Sequence, residues 1–332
     1  MRVFLTGGTG LVGSHVAEQL RAADVEVRAL VRRAARADHL RQLRCELIEG
    51  DICDDTEIHA PALDACDALV HAAALVGARA SRERYHEQNV AGTRNVIGAA
   101  ARAGVARAVH VSSVAVYGPI DGRIDEERWR EMDVDARAFY AWSKREAEIE
   151  AWRHDDVNGL RVTTVRPALI FGERDRHVAP RLDRIMRLPL LPLPDGGRHV
   201  LPLVYAGNVA RGIVAALRTP LAAGRAYNLA HDNDTPLRDV IASWRRARAT
   251  GNARIVPVPG GVIEATAAAL DGLAAALPFL DLPGMRRPAR LVRHDNPYDS
   301  RRARAELGWT SLVSMEQAVE RTVQWLRNRP DT

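Results

Sequence analysis

Apolar residues recur along this chain with two periods. Nearly continuous apolar runs at Met1–Thr6, Val25–Val31, Leu47–Ile52, Ala68–Ala74, Ala108–Val111 and Val162–Val165 read as strands buried on both faces. Between them, Ser14–Ala22, Asn89–Ala103 and Tyr140–Trp152 carry apolar residues at helical spacing. Strand and helix alternate, so the fold class expected is α/β, a doubly wound parallel sheet. From Glu173 the rhythm breaks at Pro180, Pro189, Pro192, Pro194 and Gly196-Gly197. Beyond the breaks, Val204–Ala210 leads into a helix to Leu217, Ala226–Leu229 reads as a strand, and an amphipathic helix lies near Met315–Arg327. The division expected is a first domain over 1–175, to which 200–232 returns, and a smaller C-terminal α/β substrate lobe over 176–199 and 233–332.

The first strand runs straight into Gly7-Gly8-Thr9-Gly10-Leu11-Val12-Gly13, and a helix follows. Strand, glycine turn and helix form the setting in which backbone approaches a pyrophosphate and a helix N-terminus receives it. This makes the sheet Rossmann-type. The second strand ends in Arg32-Arg33, with Arg36 beyond, where an NAD-specific site would place a carboxylate. Guanidinium groups match a 2′-phosphate, so NADP(H) is the preferred cofactor and NAD(H) the lesser one. Asp51, at the end of the third strand, is placed to accept a hydrogen bond from an adenine amino group.

Tyr140-Ala-Trp-Ser-Lys144 is the candidate centre of chemistry. Of 47 basic side chains, 46 are Arg, and Lys144 is the single Lys. Arg does not replace Lys where a compact ammonium on a flexible stem is needed. At a spacing of four, Tyr140 and Lys144 share a helix face. A neighbouring cation lowers a phenol's pKa and suits it to proton transfer at a carbonyl or carbinol oxygen. Ser113, just past the fifth strand, is expected beside Tyr140. Asn89 opens a helix and either braces the sheet or touches the cofactor.

Composition narrows the partners. The chain has 332 residues, is 47% hydrophobic and carries a net charge of +5. Its Arg residues are scattered among 42 acidic ones, which argues against nucleic acid. Cys45, Cys53 and Cys66 are an odd number without CxxC spacing, and no His pairing at ligand spacing occurs, so no metal is inferred and a cytoplasmic location is expected. The apolar stretch Val262–Leu282 is broken by Glu264, Asp271, Pro278 and Asp281. It reads as a substrate-lobe helix and loop rather than an integral membrane segment, with a peripheral membrane contact as the lesser reading.

Eight signals in order carry a resemblance over essentially the whole length: TGGTGLVG at Thr6–Gly13, GDI at Gly50–Ile52, HAAA at His71–Ala74, NVAGT at Asn89–Thr93, SSVAVYG at Ser112–Gly118, YAWSK at Tyr140–Lys144, RPALIFG at Arg166–Gly172 and RAELGW at Arg304–Trp309. The chain resembles an extended short-chain dehydrogenase/reductase of the NAD(P)-dependent epimerase/dehydratase superfamily. The resemblance implies Ser113, Tyr140 and Lys144 as catalytic residues, with Tyr140 as general acid/base and Lys144 holding the nicotinamide ribose. It implies cofactor contacts at Gly7, Thr9, Gly10, Leu11, Val12, Arg32, Arg33, Arg36, Asp51, Ile52, Ala72, Ala73, Ala74, Asn89, Tyr140, Lys144, Pro167, Ala168 and Ile170. It also implies a homodimer, with the helices Asn89–Ala103 and Tyr140–Trp152 as candidate interface.

Within that family, sugar 4,6-dehydratases carry Asp-Glu after the catalytic hydroxyl. Val114-Ala115 stands there instead, which argues against elimination. The RALVRR segment, Asp175–Leu182 and Val204–Gly212 look most like the branch of hydroxysteroid dehydrogenases and flavonol-type ketone reductases. Leu188, Leu190, Leu191, Leu193, Leu201 and Leu203 suit an apolar carbonyl or alcohol substrate. The expected activity is NADP(H)-dependent hydride transfer to a ketone. The alternative is a nucleotide-sugar epimerase with retained NAD, for which Arg181, Arg184, Arg198 and Arg293 would meet phosphates. A dinucleotide-binding redox sensor without activity is the third reading, disfavoured because Ser113, Tyr140 and Lys144 are all present.

Overall fold

The computed structural model describes residues 1–55, 59–77, 80–118, 122–130, 134–230, 234–251, 254–276 and 294–328. Seven parallel strands form the main sheet: β1 (Arg2–Thr6), β2 (Glu26–Val31), β3 (Glu46–Glu49), β4 (Ala68–His71), β5 (Arg107–Val111), β6 (Arg161–Pro167) and β10 (Ala226–Leu229), in the order β10-β6-β5-β4-β1-β2-β3. The chain moves outward from β1 to β3, returns to β4 on the other side of β1, and moves outward again. The reversal between β1 and β4 is the point where open α/β sheets bind ligands, at the carboxyl ends of the strands.

Alternate residues serve opposite faces. Val3 and Leu5 of β1 pack with Val16 and Leu20 of helix Leu11–Ala22 and with Ile213 and Leu217 of helix Ala206–Arg218. Phe4 of the same strand packs with Val96 and Ile97 of helix Gly92–Arg102. The mixed α/β architecture expected from the apolar runs is therefore the observed one, with the helices on both faces.

A further hydrophobic core joins Phe171, Leu203, Leu237, Ile241, Trp244, Met315 and Val319. It lies among helices Val178–Met186, Leu237–Arg248 and Met315–Asn328. Two small parallel pairs border it: β7 (Leu169–Phe171) with β9 (Leu203–Tyr205), and β8 (Leu190–Pro194) with β11 (Arg254–Val258). The segment Arg304–Trp309 is tied to helix Ala206–Arg218 by its indole, whose N–H donates to the Asn208 carbonyl at 2.8 Å.

Several boundaries differ from the sequence reading. The first helix starts at Leu11, not Ser14, because Gly10 caps it without a side chain. The fourth strand ends at His71, which leaves Ala72–Ala74 irregular. The helix expected from Asn89 is preceded by a π-helical stretch, His86–Ala91, continuous with Arg82–Tyr85. Of the apolar stretch Val262–Leu282, helix Gly260–Ala276 is seen, while 277–282 lies outside the described residues.

Candidate active site

The glycine loop is shaped by close approach. Gly7 has φ +72°, and a Cβ there would lie 2.6 Å from the Ala72 carbonyl carbon and the Ala73 nitrogen. A Cβ on Gly13 would lie 2.2 Å from the Gly7 carbonyl oxygen. Neither position admits a side chain, so the exits of β1 and β4 and the start of the first helix press together. Thr9 and Gly10 are exposed, and Leu11 and Val12 are half-buried in a first turn whose N–H groups have no helical acceptor. Together they make a cradle for a pyrophosphate at a positive helix end. The residues present therefore fit a dinucleotide.

Past β2, Arg32, Arg33 and Arg36 are all exposed. The Ala34 N–H donates to Glu49 Oε1 at 2.5 Å and ties this turn to the end of β3. Asp51 Oδ1 accepts from the Cys53 N–H at 3.0 Å, and Ile52 is buried against Gly92. Ala72, Ala73 and Ala74 follow β4, Pro167 ends β6, and Ala168 and Ile170 come directly after it. All the expected cofactor contacts except Asn89, Tyr140 and Lys144 thus follow or end strands along one rim of the sheet.

Helix Phe139–Trp152 bears the candidate residues Tyr140 and Lys144, and Glu148 follows them at the same four-residue spacing on one face. Tyr140 is half-buried, and the Ser113 hydroxyl, in the residue that leads from β5 into the turn Val114–Tyr117, is the neighbour that stabilises its phenolate. Ser113 Oγ also accepts the Ala115 N–H at 3.1 Å, which fixes its rotamer. Tyr85, missed in the sequence, meets the Tyr140 ring edge to face at 6.3 Å between centroids.

Lys144 is buried, and its ammonium donates to the Val111 carbonyl at 2.7 Å. The acidification of Tyr140 by Lys144 expected from the sequence is not what this geometry produces. Burial pushes the phenol above its ordinary value, and the neighbouring Ser113 hydroxyl only partly opposes that. Shared helical spacing aligned the two side chains, but the ammonium turns under the end of β5.

Beneath Lys144 lies a buried polar layer that the sequence reading did not assign. His71 and His110 are neighbours in register on β4 and β5, with rings stacked at 5.6 Å. Burial, and then the Lys144 charge, push His71 down to about 3 and His110 well below its ordinary value, so both are neutral. The His71 ring nitrogens lie 2.8 Å from Thr6 Oγ1 and 3.0 Å from Thr93 Oγ1, and the Thr93 hydroxyl donates to the Asn89 carbonyl at 2.6 Å. Because Thr93 spends its proton on that carbonyl, it accepts from His71 Nε2–H, which leaves Nδ1 to accept from Thr6.

Asn89, for which the sequence left open a brace of the sheet or a cofactor contact, spends both amide N–H groups inside the protein, on the Leu75 carbonyl at 3.2 Å and Ser143 Oγ at 2.9 Å. Its Oδ1 accepts the Leu75 N–H at 2.7 Å. In this geometry Asn89 is a brace between the exit of β4 and helix Phe139–Trp152. A signal was available: Thr6, His71 and Asn89 all sit inside the quoted motifs, but only register shows them aligned. Of the arginines considered for a sugar nucleotide, Arg181 and Arg184 are exposed on helix Val178–Met186 and Arg198 faces Asp195 at 3.8 Å. Arg293 lies outside the described residues.

Burial also pushes Lys144 down, from 10.5 to about 8, with Glu148 opposing. The unfolded chain holds that proton to higher pH than the folded one, so stability attributable to Lys144 rises between pH 8 and 10.5, and the cost of burying the ammonium is fully present below 8. With one lysine, the test is direct. Competitive acetylation across pH, read by peptide mapping with the Met1 amine as reference, should give Lys144 a midpoint near 8. A midpoint at the ordinary lysine value would contradict the buried placement.

Comparison with known proteins follows the same lines. Residues 3–230 match the NAD dependent epimerase/dehydratase family. The 4-hydroxy-2-methyl-3-oxo-4-farnesyl-3,4-dihydroquinoline-1-oxide ketoreductase of Stigmatella aurantiaca is 32% identical over 328 residues, 96% of this chain and 95% of that protein. The 2-alkyl-3-oxoalkanoate reductase of Stenotrophomonas maltophilia is 29% identical, covering 97% of this chain and 98% of its own. Among solved structures, the UDP-glucuronic acid 4-epimerase from Bacillus cereus in complex with NAD superposes with a TM-score of 0.74 over 98% of this chain and 97% of its own, at 19% identity. At that identity the likeness is one of fold.

Proposed function

This chain belongs to the NAD dependent epimerase/dehydratase family, and from that premise we propose an NADP(H)-dependent oxidoreductase that transfers hydride between nicotinamide and a ketone or secondary alcohol on a fairly apolar substrate. The observation that carries the reading is the pairing of Tyr140 with the Ser113 hydroxyl past the carboxyl end of β5, on the same rim of the sheet as the glycine cradle. Full-length relatives named as reductases of oxo compounds support it. We propose on the same footing a homodimer, and a substrate lobe built on the second core.

The glycine loop, Ala72–Ala74 and Pro167 would hold the dinucleotide, with Arg32, Arg33 and Arg36 toward a 2′-phosphate. When bound, the nicotinamide supplies hydride to a carbonyl carbon or accepts it from a carbinol. Tyr140, kept protonated by burial, donates its proton to the carbonyl oxygen. Ser113 shares that oxygen and holds the phenol in line. Lys144 places a positive charge at the end of β5, where it would hold a ribose hydroxyl of the cofactor. In the oxidative direction the same phenol must first lose its proton, so alcohol oxidation should gain from alkaline pH and ketone reduction should not.

The assay is consumption of NADPH by a bulky apolar ketone. Turnover of a UDP-sugar by protein that retains NAD through purification, without net redox change, would instead establish the epimerase reading. Cofactor choice has its own test, by binding alone. Arg32→Ala should weaken NADPH roughly 10- to 100-fold, the worth of a lost charge-assisted hydrogen bond, and NADH by less than about threefold. Equal losses in a titration of protein fluorescence would remove the phosphate site.

A further inference from the structure

Helix Val178–Met186 and the turn after it have one face committed to the core and one to solvent. Ala179, Asp183 and Met186 are buried, whereas Ile185, Leu188 and Leu190 are each 49% exposed. Those three form a step of apolar side chains at the junction with β8. Arg181, Arg184 and Arg187 are exposed along the same segment, and exposed Arg254 stands beside Leu190 in the β8–β11 register. From Arg176 to Pro194 the sequence holds one carboxylate, Asp183. It is turned inward, bound by Arg248 at 2.7 Å through both oxygens and by the Trp244 indole at 2.9 Å, and meets Arg187 only at 3.8 Å. The outward charge of the patch is therefore positive.

The turn is also held from beneath. The buried Arg245 guanidinium donates to the carbonyls of Met186 at 2.6 Å, Leu188 at 3.0 Å and Gly251 at 2.5 Å. The Leu188 N–H donates to Ile185 and the Arg254 N–H to Pro189, at 3.0 and 2.9 Å. A turn so fastened does not expose its leucines by fraying. It presents them.

We propose that this face docks on an anionic phospholipid bilayer, with Ile185, Leu188 and Leu190 in the headgroup boundary and Arg181, Arg184, Arg187 and Arg254 on the lipid phosphates. Apolar insertion combined with a basic rim is the two-part signal that holds a protein at such a surface without a membrane-spanning helix. No helix among the described residues is long and apolar enough to cross a membrane. A second copy of the chain fits less well, because a two-fold contact would set arginine rim against arginine rim. A peptide fits less well because the side chains stand out from a turn instead of lining a groove.

Flotation of the full-length protein with vesicles tests the proposal. Wild type should float with vesicles of phosphatidylcholine and phosphatidylglycerol at low salt, much less with phosphatidylcholine alone, and less again at high salt. R184Q/R187Q should lower partitioning roughly 30-fold, about fivefold per arginine, and I185S/L188S about tenfold or more. Thermal melting of both variants checks that they are folded. No flotation of wild type on anionic vesicles, or flotation of both folded variants equal to wild type, overturns the proposal. So does a shift of I185S/L188S to a smaller oligomer in light scattering with flotation unchanged, which would assign the face to a second copy. Flotation reads no turnover, so its failure leaves the proposed reaction standing.

Discussion

Tyr140→Phe is expected to lower kcat for ketone reduction about 10³-fold while leaving cofactor affinity within about threefold. The substitution removes one oxygen and keeps the ring, so the edge-to-face contact with Tyr85 and the helix around it persist. What goes is the proton source. Positioned general acids contribute roughly 10²- to 10⁴-fold, and neither of its two neighbours can replace this one. Ser113 is an acceptor for the Ala115 N–H and a partner of the phenol, while Lys144 is engaged with the Val111 carbonyl. Single-turnover absorbance of NADPH at saturating ketone is the measurement. A variant within a few-fold of wild type would assign the proton to another group and sink the mechanism. Tight NADPH binding by an inactive wild type would point to the redox-sensor reading.

That Tyr140 stands where it does was legible, but its electrostatics were not. Residue spacing placed Tyr140 and Lys144 on one helical face, and the motif order placed Ser113 at the end of β5. Spacing cannot report which way a flexible ammonium turns, so the sequence suggested an acidified phenol where burial gives the opposite direction. The same distinction holds for the fold. The strands of the main sheet showed as apolar runs because both their faces are covered. β8 and β11 did not, because a two-stranded pair rich in proline, with Leu190 exposed and Leu191 buried, lacks any continuous apolar signal. The π-helical turn at His86–Ala91 also escaped, since one extra residue per turn rotates Asn89 onto Leu75 and Ser143 without changing composition. The polar layer of Thr6, His71 and Thr93 needed strand register, which a single sequence does not print.

One turn beyond Lys144, Glu148 is the group on which the second large effect rests. Glu148 and Arg166 are both fully buried, and three short contacts join them, at 2.5, 3.1 and 3.2 Å. Arg166 Nη1 also donates to the Tyr117 hydroxyl at 2.8 Å and the Glu126 carbonyl at 2.9 Å. The Trp152 indole adds a bond to Glu148 at 3.2 Å. Burial by itself would raise the Glu148 pKa, but the Arg166 charge and hydrogen bonds hold it below the usual carboxylate range. Arg166→Met removes that compensation and should cost about 3–5 kcal/mol, the penalty for leaving one buried charge alone. For a chain of this size the melting temperature should fall by roughly 4–7 °C.

The pH dependence gives the effect its sign. In wild type, the depressed Glu148 contributes stability above the unfolded value of 4.5, lost as pH falls through the lower folded value. In Arg166→Met the carboxyl is raised instead, so it takes up a proton in the folded state. The deficit against wild type should therefore be greatest at neutral pH and shrink toward pH 5. Arg166→Met with Glu148→Leu should recover part of the loss, since the buried charge is then gone. A deficit independent of pH, with no recovery in the double variant, would mean that lost packing dominates. Because Glu148 sits one turn after Lys144 and two after Tyr140, its bond to Arg166 also ties the helix that bears them to β6. Even at temperatures where Arg166→Met is folded, kcat should fall while the Lys144 acetylation midpoint moves away from 8. An unchanged midpoint would confine the pair to stability and free the site from it.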